Sequence, residues 1–173
     1  MKIAIISDVH NNISNLKKVI NYCKINYIKK IICCGDLASK ETLDYFCNNF
    51  PGEIYYVFGN MDDAFLKTEL FGGIKESAVN YKNAKVFRYV GNLKIKNKNI
   101  LFVHFPDMAR KLCQKEKCDV VFYGHTHKPW EEYVEKCKML NPGNVANEFY
   151  PPSFAVWNID ENSFILVKIN GLN

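Results

Sequence analysis

The sequence predicts an α/β protein in which two β-sheets are combined with helices. Three observations carry that prediction. Five short apolar runs rich in Ile, Val, Phe or Tyr each stop at a polar residue of metal-binding type. Segments with helical spacing fall between the first three runs, which gives the order βαβαβ and implies parallel strands with right-handed crossovers. From Trp130 onward the pattern changes to a meander of short strands.

The elements follow in order. Lys2–Ser7 is a buried strand that ends just before Asp8. Across Asn12–Lys24, Ile13, Leu16, Val19, Ile20 and Cys23 recur at helical spacing, with Asn11 or Asn12 available as cap. Ile31–Cys34 runs into Gly35-Asp36. Leu43, Phe46, Cys47 and Phe50 then repeat the helical pattern until Pro51-Gly52. Ile54–Phe58 leads into Gly59-Asn60. Across Asp62–Asn83 a short helix at Ala64–Leu70 should stop at Gly72-Gly73. The apolar residues Phe65, Leu66, Phe71 and Ile74 suit either a crossover or a lid over the ligand edge, and the crossover is the preferred reading. Lys85–Val90, Asn92–Lys96 and Ile100–Val103 read as strands, the last two joined by a turn near Asn97–Asn99. Pro106–Lys117 reads as a helix with Pro in its first turn. Val120–Tyr123 leads into Gly124-His125. Trp130–Val134, Lys138–Leu140, Phe154–Ile159 and Phe164–Ile169 read as meandering strands, so the second sheet is expected to be largely antiparallel.

At 173 residues the chain is long enough for one domain with a substantial core, and residues 1–173 are read as that domain. With 48% hydrophobic and 24% charged residues it falls in the soluble globular class. No apolar stretch reaches membrane-spanning length, and Ile3–Ile6 is too short for a signal segment, so a cytoplasmic location is expected. The net charge of +5 comes almost entirely from lysines interleaved with acids. That pattern describes a solvated surface rather than a nucleic-acid footprint. The seven cysteines, Cys23, Cys33, Cys34, Cys47, Cys113, Cys118 and Cys137, contain no C-x-x-C pair. They are expected to be reduced, small hydrophobes.

The chemistry lies in Asp8-Val9-His10, Gly35-Asp36, Gly59-Asn60, His104 and Gly124-His125-Thr126-His127. All four histidines of the chain fall inside this set. Five strand ends thus deliver metal-type ligands to the edge where open α/β sheets collect their ligands. Residues i and i+2 of an extended chain face one side, so Asp8 and His10 are expected to grip one ion together, and His125 and His127 likewise. Glycine before Asp36 lets the backbone turn sharply. Four His, two Asp and one Asn exceed the needs of one ion and suit two. Mixed imidazole and carboxylate ligation points to Mn, Fe, Zn, Ni or Co rather than Ca. Two divalent ions set against Asp8, Asp36 and a bridging hydroxide leave a charge of about +1, matched to an anionic phosphate ester.

The ordered set D-x-H, G-D, G-N, H, G-H-x-H resembles the calcineurin-like metallophosphoesterase superfamily. The short chain and Asn141-Pro142-Gly143-Asn144 resemble its small prokaryotic phosphodiesterase branch, in which N-P-G-S is common. The resemblance spans Asp8 to Asn144. It implies a four-layer αββα sandwich of two mixed β-sheets flanked by helices. It implies that Asp8, His10 and His127 hold one ion, that Asn60, His104 and His125 hold the other, and that Asp36 bridges. It further implies catalytic roles for Asn60 and Asp62. Two departures stand out. Met61 occupies a position where many members carry a proton-donating His, so Asp62 is left as the family's acid, as an orienting group, or as a helix N-terminal acid. Phe105-Pro106 follows His104 where glycine is usual, which adds bulk beside the site.

The function so implied is metal-assisted hydrolysis of a small phosphate ester, a phosphodiesterase with two transition-metal ions and metal-bound hydroxide. The alternative is a non-catalytic protein-interaction scaffold of the same fold, like the retromer subunit. Neither a membrane nor a nucleic-acid partner is expected. A homo-oligomer is compatible with the sequence.

Overall fold

The computed structural model describes residues 1–73 and 75–172, so the apolar position Ile74 lies outside the described residues. Twelve strands and four helices follow in the order β1 (Lys2–Ile6), α1 (Ile13–Ile25), β2 (Lys30–Cys33), α2 (Lys40–Asn49), β3 (Glu53–Val57), α3 (Ala64–Phe71), β4 (Ala78–Tyr81), β5 (Ala84–Phe87), β6 (Gly91–Ile95), β7 (Lys98–Phe102), α4 (Pro106–Lys115), β8 (Val120–Phe122), β9 (Trp130–Val134), β10 (Cys137–Asn141), β11 (Ser153–Asn158) and β12 (Ser163–Lys168). None of these helices is long and apolar enough to cross a membrane.

The strands make two mixed sheets, one ordered β12-β11-β1-β2-β3-β5-β4 and the other β6-β7-β8-β10-β9. Period-2 burial on both faces produces the layering. In β1, Ile3 and Ile5 enter a core shared with Ile100, Phe102, Val120 and Phe122 of the second sheet. Ala4 and Ile6 point the other way, into a core with Leu16 and Ile20 of α1, Phe46 of α2 and Leu66 of α3. A third core joins Leu101, Val103 and Val121 of the second sheet to Ala109 and Cys113 of α4. Three cores separate four layers, and each fully buried Ile or Phe adds about 1.5–3 kcal/mol of transfer free energy.

Local sequence sets the helix starts. The Asn12 side chain accepts from the Asn15 amide at 3.0 Å and caps α1. Ser39 caps α2 through the Thr42 amide, and Asp63 caps α3 through the Phe65 amide. Proline opens α4.

Three expectations need correction. The 62–83 segment contains a strand, β4, which pairs with β5 and extends the first sheet as its edge. The meandering tail does not supply a separate sheet. Strands β9 and β10 join the second sheet, whereas β11 and β12 join the first beside β1. The second sheet is therefore half parallel, because β8 pairs in parallel with both β7 and β10. Finally, the cysteines are not all reduced: Cys118 and Cys137 form a disulfide with a Cα–Cα separation of 5.7 Å. Cys118 lies just before β8 and Cys137 opens β10. The parallel register that sets Lys138 opposite Val120 makes those two chain positions neighbours. The other five cysteines are buried in the cores.

Candidate metal centre

Asp8 follows β1, Asp36 follows β2 and Asn60 follows β3, while His104 follows β7 and His125 follows β8. The first three leave the C-terminal edge of one sheet and the last two leave that edge of the other. The packed sheets therefore bring all seven candidate residues to one end of the molecule.

The local backbone differs from the extended chain expected around Asp8 and His10. Asp8, His10, Asp36, His125 and His127 have φ of 54°, 45°, 57°, 69° and 59°. Five of the seven candidates are thus left-handed, a conformation that costs non-glycine residues roughly 1–2 kcal/mol each and that Asp and His tolerate better than most. The side chains converge because tight left-handed turns aim them, and the i, i+2 rule of a strand is not what unites them. Such strain persists only where the surroundings hold it. Here the holders are visible. The Val145 amide donates to the Ser7 and Asp8 carbonyls at 3.0 and 3.1 Å, and the Ala146 amide donates to the Asp8 carbonyl at 2.9 Å. The Asn141 side chain donates to the Gly124 carbonyl at 2.9 Å and to Thr126 Oγ1 at 3.0 Å. Asn144, wholly buried, donates to the His127 carbonyl at 3.1 Å and accepts from the Asn147 amide at 2.7 Å.

The glycines before the ligands serve close approach. A Cβ on Gly59 would stand 2.0 Å from Asp36 Oδ1, so that space belongs to the Asp36 carboxylate. A Cβ on Gly35 would meet His104 Nδ1 at 2.5 Å. Each loop's ligand occupies the room left by another loop's glycine.

Asp36 stands at the middle. Its Oδ2 lies 3.7 Å from His10 Nε2 and 3.1 Å from His104 Nε2. Its Oδ1 accepts from the Met61 amide at 2.8 Å. On one side, Asp8 Oδ1 is 3.8 Å from His10 Nε2 and 3.4 Å from His127 Nε2. On the other, Asn60 Oδ1 lies 2.9 Å from His104 Nε2 and 3.0 Å from His125 Nδ1. Two further contacts aim the rings. His104 Nδ1 donates to the Cys34 carbonyl at 2.9 Å, and His127 Nδ1 lies 3.3 Å from the Glu148 carbonyl. A backbone carbonyl on one ring nitrogen sets the tautomer and turns the other nitrogen toward the centre.

Burial disfavours the Asp8 carboxylate, but the facing imidazoles of His10 and His127 outweigh it and hold the group below the usual carboxylate range. Asp8 in turn raises His10 and His127. Burial opposes protonation of His104, yet Asp36 raises it. Burial and then the neighbouring His104 lower His125. The His10 Nε2 atom is buried without a hydrogen-bond partner. An orphaned imidazole nitrogen facing two carboxylates is the donor arrangement a divalent cation completes. The ligand atoms of Asp8, His10 and His127, and those of Asp8, Asp36 and His104, lie within 4.8 Å of one another. The residues present fit metal ions.

Asp62 is buried. Its Oδ2 accepts from the Asp36 amide at 3.0 Å and the Gly59 amide at 2.6 Å, and its Oδ1 accepts from the Ala38 amide at 2.9 Å. Three backbone donors use it as a clasp on the Asp36 loop. The helix N-terminal acid is its neighbour Asp63. Met61 is exposed beside Asn60. The bulk after His104 is visible too: the Phe105 ring stands edge-on to His104 and His125, with centroids 5.0 and 4.9 Å away. The roles of Asn141, Asn144 and the Cys34 and Glu148 carbonyls were missed in the sequence. Only the Asn141–Asn144 motif carried a signal for them.

Comparison with known proteins agrees with this geometry. Residues 1–162 match the calcineurin-like phosphoesterase superfamily domain. A phosphodiesterase of Methanocaldococcus jannaschii is 27% identical over 148 residues, which cover 84% of this chain and 85% of that protein. The structure of an archaeal phosphodiesterase superposes with a TM-score of 0.82 at 23% identity, covering 97% of this chain and 99% of the other. Vacuolar protein sorting 29 from Cryptosporidium parvum shares the fold at a TM-score of 0.64 and 21% identity, covering 96% and 95%.

Proposed function

The chain belongs to the calcineurin-like phosphoesterase superfamily, and on that premise we propose that it is a phosphodiesterase whose centre holds two divalent transition-metal ions of the Mn, Ni, Fe, Zn or Co kind. Asp8, His10 and His127 would hold one ion and Asn60, His104 and His125 the other, with Asp36 shared. The observation that carries this reading is Asp36 Oδ2, set between the Nε2 atoms of His10 and His104 at 3.7 and 3.1 Å. One carboxylate oxygen facing two imidazole sets supports that shared role. We read residues 1–173 as one domain built around it.

When bound, two such ions supply Lewis acidity, a hydroxide nucleophile at neutral pH and a clamp on the transferred phosphoryl group. The chain supplies position. Asp62 tightens the Asp36 loop through three amides and acts as a positioning residue. The Cys34 carbonyl aims His104, and Asn60 ties His104 to His125. Met61 at the open side has no proton to give, so esters with good leaving groups are the favoured substrates.

The test is reconstitution with Mn or Ni, followed by elemental analysis and hydrolysis of bis(p-nitrophenyl) phosphate. Two metal equivalents and turnover are expected. A reproducible single equivalent, unchanged by His127→Ala, would remove the dinuclear reading. Two bound equivalents without turnover of any phosphodiester or monoester would favour the interaction scaffold, which shares this fold.

A further inference from the structure

Beside the Asn60–His104–His125 side of the centre lies a cavity of about 290 Å³. Its walls include Phe58, Phe71, Tyr89 and Phe105, with Lys67 and Arg88 among them. Two links join it to the centre. Phe105 is the wall residue whose ring packs against His104 and His125. Gly59, also on the wall, directly precedes Asn60. A phosphoryl group held at those ligands would therefore carry one ester substituent toward this cavity.

The walls specify what that substituent is. Phe58 and Phe71 meet edge to face at 5.7 Å, an arrangement that presents both ring edges and ring faces. Phe105 is 41% and Tyr89 68% exposed, so two aromatic surfaces at the cavity stand in water with apolar area still to be covered. The cations are already ordered on these walls. Lys67 Nζ sits 5.6 Å above the Phe58 ring and donates to the Gly59 carbonyl at 2.9 Å. The Arg88 guanidinium lies 4.7 Å from the Phe71 centroid and donates to the Phe71 carbonyl at 3.3 Å. Aromatic walls interleaved with held cations suit a flat, electron-rich ring. An alkyl chain gains no cation–π or edge-to-face contact there. The cavity is too small for a macromolecular segment and matches the low end of small-ligand sites.

We propose that this cavity is the subsite for a planar aromatic ester substituent, an aryl or nucleobase-bearing group, and that Phe105 is the residue that selects it. The substrate class is then an aromatic phosphoester rather than a simple alkyl one. This assignment rests on the metal-phosphoesterase reading above.

The experiment separates the two. Phosphonates carry the anionic group but are not turned over, so calorimetric titration of the Mn-loaded protein reads binding alone. Methylphosphonate reports the centre. Phenylphosphonate adds the flat ring, and cyclohexylphosphonate adds equal bulk without aromaticity. We expect phenylphosphonate to bind about ten-fold more tightly than methylphosphonate, with cyclohexylphosphonate between the two. Phe105→Leu, at a half-exposed position, should reduce the ratio of methyl to phenyl Kd to about two-fold. Equal wild-type affinities for methyl and phenyl, or for cyclohexyl and phenyl, would overturn the subsite. A phenyl advantage that survives Phe105→Leu would overturn the role of Phe105. Absence of binding by all three would instead overturn the ion-held phosphoester reading on which the subsite depends.

Discussion

In the proposed ligand array, Asp8, His10 and His127 form one half, and Asn60, His104 and His125 form the other. The first half is closed: Asp8 and His127 are buried, and all three side chains interlock through the Asp8 carboxylate. The second half is open. Asn60 and His125 are exposed, and only His104, pinned to the Cys34 carbonyl, is buried. Met61 and Phe105 stand on this open side. The difference teaches that one half is part of the folded core, whereas the other, under the proposed function, is the face presented to substrate. Substitutions in the closed half should disturb the protein before any metal is added. Substitutions in the open half should disturb chemistry and selectivity while leaving the apo fold intact.

Asp36 belongs to both halves, so its loss is expected to be the most damaging. Asp36→Asn should lower kcat by about 10³-fold or more, near 4 kcal/mol, against a smaller loss for His125→Ala. Steady-state kinetics on an activated diester, with metal content measured on the same samples, checks this. Equal modest losses for both variants would dissolve the idea of a shared carboxylate.

Met61 tests the open half. In the wild type, rate plotted against leaving-group pKa should fall steeply, because the side chain next to Asn60 has no proton to donate. Met61→His should flatten that plot and raise the rate for poor leaving groups by up to about 10²-fold. A flat wild-type plot would mean that another group supplies the proton. Asp62 is a poor candidate while three amides occupy its carboxylate.

The halves should also separate in thermal unfolding of the metal-free protein. His127→Ala removes the Nε2 contact to buried Asp8 and the Nδ1 contact to the Glu148 carbonyl. A cost of about 1–3 kcal/mol is expected for leaving that carboxylate short of a partner. His125→Ala, at an exposed position, should cost within about 0.5 kcal/mol. Similar Tm shifts for both would erase the distinction.

The smallest effect is a control remote from both halves. Asp44 of α2 accepts from Tyr81 and Lys82 at the end of β4, and these partners bring its pKa down to about 2. A depressed carboxylate stabilises above its unfolded value near 3.9, and that contribution fades as pH falls from about 4 toward 2. Solvent screening holds it below about 1 kcal/mol. Asp44→Asn should therefore lower Tm slightly at pH 6 and by less at pH 2, with activity unchanged.

The parts of this architecture that could be read in the sequence are those written locally. A buried strand announces itself as an unbroken apolar run, and a ligand at its end is the next polar letter, so Asp8, Asp36, Asn60, His104 and His125 were placed on strand ends from the pattern alone. Cap residues followed the same logic at Asn12. Strand β4 was missed because Ala78–Tyr81 is a short edge strand with little burial and no alternation. The allotment of β9 to β12 between sheets, the Cys118–Cys137 pair and the Asp62 clasp depend on register or on backbone donors far along the chain. No window of sequence contains them. The left-handed turns at the ligands were hidden for a related reason: Asp and His accept that conformation only where neighbours such as Val145 and Ala146 impose it.

Strand β1 lies between β2 and β11, and the amides of residues 145 and 146 close over the Asp8 turn. During synthesis, the first ligand to leave the ribosome is thus among the last to be set. Until Val145 and Ala146 emerge, the Asp8 turn lacks the hydrogen bonds that hold it, and until Ser153–Asn158 emerges β1 shows one bare edge. The site is closed by segments about 140 residues apart meeting, a long-range closure of the slow-folding kind. A chain cut short between residues 128 and 144 would retain all seven ligand letters and still lack the grip that makes them a site.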